Sequence, residues 1–364
     1  MNIGKKIMVN FKKKLCIVIL LIIPSLGYCL DFNNKNEANF IVNNFKFNDG
    51  STMSNLSIHY ITLGNPKNKP VLVLHGTTGN GASMLNDSFG HALFDKGMPL
   101  DAEKYFIILP DAIGTGQSSK PSDGMKGDFP HYDYTDMVNA QYQLVKNGLG
   151  IDHLELIIGN SMGGMNTWNW VTMYPDFMTA AVPMAATPAP MSSRNWIMRK
   201  MVINAIKDDP DWKNGFYDKQ PEKFQTVYNY YNIATNGGDI AWQNKAYNTA
   251  KTEELLASTL KERITMDTND FLFQWDAARN FDPTKDLIKI KAHILAINSE
   301  DDERNPPTTG LMEKAIKNIP HVKYVLIPAS IKTSGHSTTM TANLWKHHLT
   351  SFLKEIEDNK YLNF

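Results

Sequence analysis

The sequence predicts an α/β protein built on a mostly parallel, doubly wound sheet, and three observations carry that prediction. Short, continuously apolar runs recur at residues 70–74, 105–109, 154–158, 180–186, 292–298 and 323–327, as strands buried on both faces of a parallel sheet require. Helical spacing over 133–147 and 308–318 alternates with these runs. A Gly-Asn-Ser-Met-Gly-Gly turn at 159–164 joins one run to a further helix, which is a strand-turn-helix elbow with Ser161 at its apex.

The N-terminus stands apart from that pattern. Lys5, Lys6, Lys12, Lys13 and Lys14 precede the apolar run LCIVILLIIPSLGYC, so residues 1–29 have the charged and apolar regions of a secretory signal peptide. Pro24 and the small residues after it favour cleavage, after Gly27 or Cys29; the alternative is an uncleaved anchor that tethers the protein to a membrane. Either way the rest of the chain is expected to be exported, as a periplasmic or secreted protein. The segment holds five lysines and no acid, so 37 basic and 37 acidic residues overall leave the mature chain with a formal charge of −5. Nothing there suggests nucleic acid. Both cysteines, Cys16 and Cys29, fall in the exported segment, so neither a disulfide nor a cysteine metal site is expected in the mature domain.

Residues 39–48 and 56–63 alternate apolar and polar positions around Asn48-Asp49-Gly50, which reads as an opening antiparallel pair. The run 70–74 ends in His75-Gly76-Thr77-Thr78-Gly79, and a glycine-rich turn in that place can aim a backbone N–H into a site. Thr77 is the candidate donor. His75 precedes the turn and is read as bracing it. Residues 188–285 show no strand-helix alternation and are rich in Trp, Tyr, Met and Lys. Because alternation resumes at 292–298, they are read as a helical lid inserted into a core formed by 30–187 and 286–364. Gly335-His336 then precede a terminal helix running to about Lys354. No repeat or low-complexity segment is visible.

A serine hydroxyl needs a base beside it and an oxyanion hole ahead of it. Ser161, the acidic stretch 300–303, His336 and the 75–79 turn all follow predicted strands at their carboxyl ends, the rim where doubly wound sheets gather ligands. Ser161 is the candidate nucleophile, His336 the base, and the amides of Met162 and Thr77 the oxyanion donors. Among the acids Asp302 is preferred, then Asp301, then Glu303. His347 and His348 fall inside the terminal helix and are left out. No H-E-x-x-H, G-x-x-x-x-G-K or strand-linked G-x-G-x-x-G is present, so no metal and no cofactor is expected.

These residues carry a resemblance. The chain resembles an α/β hydrolase, and within that superfamily it is similar to the homoserine O-acetyltransferase-like group. The likeness spans most of residues 70–355. It rests on GNSMGGM at 159–165, MSSRNWIMRKMVINAIKDDPDW at 191–212, DTNDFLFQWDAARNFD at 267–282 and Asp302 four residues before Pro306-Pro307. The resemblance implies the α/β-hydrolase fold with Ser161, Asp302 and His336 as the triad. It also supports Thr77. In homoserine acetyltransferases the histidine is followed by an aspartate that meets the amino group of homoserine, whereas here Ser337 follows His336.

The expected partner is therefore a small-molecule ester or acyl donor. The leading expectation is an exported serine hydrolase that cleaves a carboxylic ester; the alternatives are an O-acyltransferase and, from another class, a non-catalytic binding protein. With lid aromatics over the rim and Ser337 in place of an acid, the pocket is expected to favour neutral, apolar groups.

Overall fold

The computed structural model describes residues 30–32, 35–261 and 263–362. The expected signal segment, 1–29, lies outside them. Strands β1 (Asn36–Lys46) and β2 (Thr52–Leu63) form the antiparallel pair, turned at Asn48–Gly50 where Gly50 has φ +91°. β2 also runs antiparallel to β4 (Tyr105–Pro110). From β3 (Lys69–Leu74) onward the neighbours are parallel: β5 (Leu154–Asn160), β6 (Met178–Met184), β7 (His293–Ser299) and β8 (Val322–Ile327). The eight strands lie in the order β1-β2-β4-β3-β5-β6-β7-β8. The chain thus leaves β3 to one side for β4 and returns on the other side as β5. That reversal opens the crevice at the carboxyl ends of β3 and β5.

The strand side chains alternate between two cores, because successive Cβ atoms point to opposite faces of the sheet. Leu72, Leu74, Ile108 and Ile157 pack on one face with α2 (Tyr134–Gln143) and α3 (Met162–Met173). Val71, Val73, Ile107, Leu109 and Ile158 pack on the other, against the short α1 (Ala92–Phe94) and the terminal helix. With both faces covered, the central strands have no exposed side on which to place polar residues.

Between β6 and β7 lie five helices: α4 (Ser193–Lys207), α5 (Phe224–Thr235), α6 (Asp239–Lys245), α7 (Thr249–Thr259) and α8 (Thr268–Asp276). Their shared interior is aromatic: Phe271 stacks on Trp275 at 5.1 Å, and Phe224 and Tyr228 pack against Phe271. Ordinary helix packing consumes these rings. Two seams tie the insertion to the sheet. Asp270 on α8 accepts from the Ser122 N–H at 2.9 Å and the Ser122 hydroxyl at 2.7 Å, and Gln274 accepts from the N–H of Thr78.

Two predicted helices differ in extent. The 308–318 helix is reduced to α9 (Leu311–Ile316), because Gly310 at φ +61° closes a separate turn over Pro307–Thr309. The terminal helix, α10 (Lys346–Leu362), begins after two short 3₁₀ turns, Gly335–Met340 and Ala342–Leu344, and runs beyond Lys354.

Candidate active site

Ser161 stands where β5 turns sharply into α3, with φ 56° and ψ −111°. Such backbone costs a non-glycine residue about 1–3 kcal/mol, and its surroundings must hold it there. Its N–H donates to Met184 O at 2.9 Å, and its carbonyl accepts from Met165 N at 2.9 Å. The glycines make room for the turn: a Cβ on Gly163 would lie 2.2 Å from Leu74 O, and one on Gly159 would lie 2.1 Å from Gly163 O. Helix α3 therefore starts hard against the end of β3. That contact sets the 75–79 turn beside the elbow, with Gly76 facing Ser161 and the Thr77 hydroxyl next to that of Tyr134.

His336 arrives from the turn after β8, and its Nε2 lies 2.7 Å from Ser161 Oγ. Its Nδ1 lies 2.9 Å and 3.0 Å from the two carboxylate oxygens of Asp302, which follows β7. All three side chains are buried. Asp302 Oδ1 also accepts from the N–H groups of Arg304 at 2.8 Å and Asn305 at 3.2 Å, and Oδ2 from the Asn305 side-chain amide at 3.0 Å. Burial works to raise this carboxyl, but His336 and these donors together hold it below its ordinary value. Burial also pushes the His336 imidazole below the ordinary histidine range. Asp302 pulls it back up, and the nearby charges of Arg304 and Arg199 add to the lowering.

The remaining candidates fall elsewhere. Asp301 is taken up by the hydroxyls of Ser299 at 2.5 Å and Thr333 at 2.6 Å. Glu303 pairs with Arg194 at the surface. His75 accepts from Ala112 N at 3.0 Å through Nε2, so its Nδ1 carries the proton and donates to Gly76 O at 2.8 Å. A neutral ring held at both nitrogens braces the turn. His347 and His348 lie on α10. Among the described residues no group of three or more His, Cys, Asp or Glu could hold a metal ion, and no helix is long and apolar enough to cross a membrane.

A family model described as the alpha/beta hydrolase fold matches residues 69–330. Among curated proteins, a homoserine O-acetyltransferase of Carboxydothermus hydrogenoformans is 30% identical over 68% of this chain and 70% of its own length. The chain belongs to the α/β-hydrolase fold family, in its homoserine O-acetyltransferase-like group. This α/β hydrolase is also similar to a probable acyltransferase of Methanothermobacter thermautotrophicus, 26% identical over 86% of this chain and 96% of that relative. A solved acetylester hydrolase from Corynebacterium glutamicum superposes with a TM-score of 0.75 at 20% identity, covering 88% of this hydrolase and 96% of that chain. At that identity the likeness is one of fold.

Reasoning from sequence missed what the inserted helices contribute. Arg199, Tyr231, Gln274 and Trp275 are buried; Gln274 accepts from Thr78 of the 75–79 turn, Arg199 lies over the Trp275 ring, and Arg304 of the acid loop lies over the Tyr231 ring. Arg199 shares the buried stripe of α4 with Asn195, Val202, Ile203 and Ile206. A cation at the core spacing of an amphipathic helix was the available signal. Two guanidinium groups, Arg199 from α4 and Arg304 from the acid loop, lie within electrostatic reach of His336, a feature that the expectation of apolar lid aromatics did not include.

Proposed function

We propose that this α/β hydrolase is an exported serine esterase that cleaves a small carboxylic ester through an acyl-enzyme on Ser161. One observation supports the reading above all others: the unbroken line of hydrogen bonds from Ser161 Oγ to His336 Nε2 at 2.7 Å, and from His336 Nδ1 to Asp302 at 2.9 Å. Asp302 accepts a hydrogen bond from the Nδ1–H, which keeps the proton on that nitrogen, so the lone pair on Nε2 faces the serine hydroxyl. As Oγ adds to the ester carbon, Nε2 takes its proton. The tetrahedral intermediate collapses by breaking the C–O bond to the alcohol, which leaves with that proton. Water then adds to the acyl carbon and gives a proton to Nε2; the Oγ–C bond breaks as Nε2 returns that proton to Oγ, which releases the acid and restores the serine. In this scheme the amides of Met162 and Thr77 hold the oxyanion. Export rests on the lysine-led apolar segment at 1–29.

An O-acyltransferase is the second reading, favoured by the names of the curated relatives and by the helices closed over the site. The same residues serve it, with an alcohol in place of water. Two measurements test the proposal. A fluorophosphonate should label Ser161 in the purified protein, and no labelling would argue for a binding protein. Simple acetate esters should then release acid at a rate that added homoserine or other alcohols leave unchanged. Ester product appearing in place of acid would establish the transferase.

A further inference from the structure

Of the five arginines in the chain, Arg194, Arg263 and Arg279 each pair with a carboxylate. Arg199 and Arg304 have no carboxylate at ion-pair distance among the described residues; Arg304 lies two residues after Asp302, to which its backbone N–H donates at 2.8 Å, and the charges of both arginines act on His336. Arg199 is only 1% exposed; one NH group reaches Trp275 O at 3.3 Å, its plane lies 4.7 Å over the Trp275 ring, and its Nε has no partner. Arg304 lies 4.4 Å over the Tyr231 ring and donates only to neutral oxygens, those of Thr235 and Asn236. Asp302 is near but committed, since both its oxygens already accept from His336 and the 304–305 backbone and amide.

The polar atoms around them match. The Tyr231 hydroxyl, Gln274 Nε2 and Trp275 Nε1 are buried without a hydrogen-bond partner, and the Tyr231 and Trp275 rings touch edge to face at 4.9 Å. Gln274 is anchored by its oxygen to Thr78 of the 75–79 turn, the turn that lies beside the elbow, and its amide nitrogen is left free. A buried cation left without a counter-charge is expensive, and unmade donor bonds add to that cost. The chemistry that answers this wall is a carboxylate, which accepts several hydrogen bonds and carries the missing charge.

We infer that Arg199 and Arg304, with the Tyr231, Gln274 and Trp275 donors, form a subsite for a carboxylate on the substrate, so that the ester bears one negative charge beside its scissile bond. This inference rests on the esterase reading and names its substrate class. The carboxylate belongs to either the acyl or the alcohol half. Two matched pairs separate these cases: monomethyl succinate against methyl 4-methylpentanoate, and 3-acetoxypropanoate against 3-methylbutyl acetate. In each pair an isopropyl group replaces the carboxylate.

On the unmodified protein, kcat/KM for the charged member of one pair should exceed that of its neutral partner by about ten- to a hundredfold, as a charge-assisted contact requires. Arg199→Met and Arg304→Met should each cut that ratio at least tenfold, while Arg199→Lys retains part of it. A merely structural role for these arginines would lower both members alike and leave the ratio unmoved. Equal rates within both pairs, or a preference for the neutral members, on protein that fluorophosphonate labels would overturn the subsite and leave the esterase standing. If neither labelling nor cleavage occurs, the esterase reading fails, and calorimetric titration with succinate then decides the subsite alone. Binding that Arg199→Lys keeps and Arg199→Met loses supports it, and absence of binding to the unmodified chain overturns it. Should the methionine variants not fold, the paired rates on the unmodified chain still decide.

Discussion

Ser161, His336 and Asp302 depend on one another through single atoms, and their substitution should show it. Ser161→Ala and His336→Ala are each expected to lower kcat by several powers of ten, with the double variant costing little more, because they act as one unit. Additive losses in steady-state kinetics would break the assignment. Asp302→Asn should cost far more than Asp301→Asn, since Asp301 spends its carboxylate on Ser299 and Thr333. The rate should also fall in acid, because only neutral His336 can take the serine proton. Burial lowers that histidine, so the midpoint of kcat/KM against pH should lie below the roughly 6.5 of an ordinary imidazole, and a midpoint above 7 would contradict it. Ser161, Asp302 and His336 were legible as candidates because each lies in the connection that follows an apolar strand, β5, β7 and β8 in turn. Arg199 was not, since a charge inside a helical segment reads by default as a solvated face until tertiary packing shows what it meets.

At the scale of elements, the elbow and the lid seam each make a prediction. Gly163→Ala would set a methyl 2.2 Å from Leu74 O, so helix α3 or strand β3 must shift. A loss of about 1–3 kcal/mol in urea unfolding is expected, with activity falling further because the 75–79 turn moves with the strand. The seam at Asp270 is sensitive to pH. Burial raises its carboxyl to about 6 from 3.8 in spite of the Ser122 donors, so the folded state favours the protonated acid. Stability from this group is greatest below the unfolded value and is lost as pH rises through about 6. Asp270→Asn cannot ionise. Relative to the unmodified protein it should gain up to about 2–3 kcal/mol between pH 4 and pH 7, read from urea midpoints at both. A constant difference would mean Asp270 is ordinary. Strands were easier to read than helices because runs such as Val71–Leu74 are unbroken in their apolarity, whereas Gly310 and the turns before Lys346 broke helical patterns that the residues themselves would have continued.

For the molecule as a whole, the strand order could be anticipated only as doubly wound, and the position of the antiparallel pair at the β4 edge came from tertiary pairing. The inserted segment likewise announced itself as an interruption, without revealing that its last helix, α8, touches the 75–79 turn. That touch is the bond from the Thr78 N–H to Gln274, made at a residue held at φ 66° in the turn that carries Thr77. Swinging the helices outward would break it and release the turn from its left-handed conformation. If Ser161 and Thr77 act as proposed, access and competence would then be exclusive states of one object: with the helices swung out the electrophile's oxygen would have no cradle, and the serine would idle in bulk solvent until closure rebuilt one.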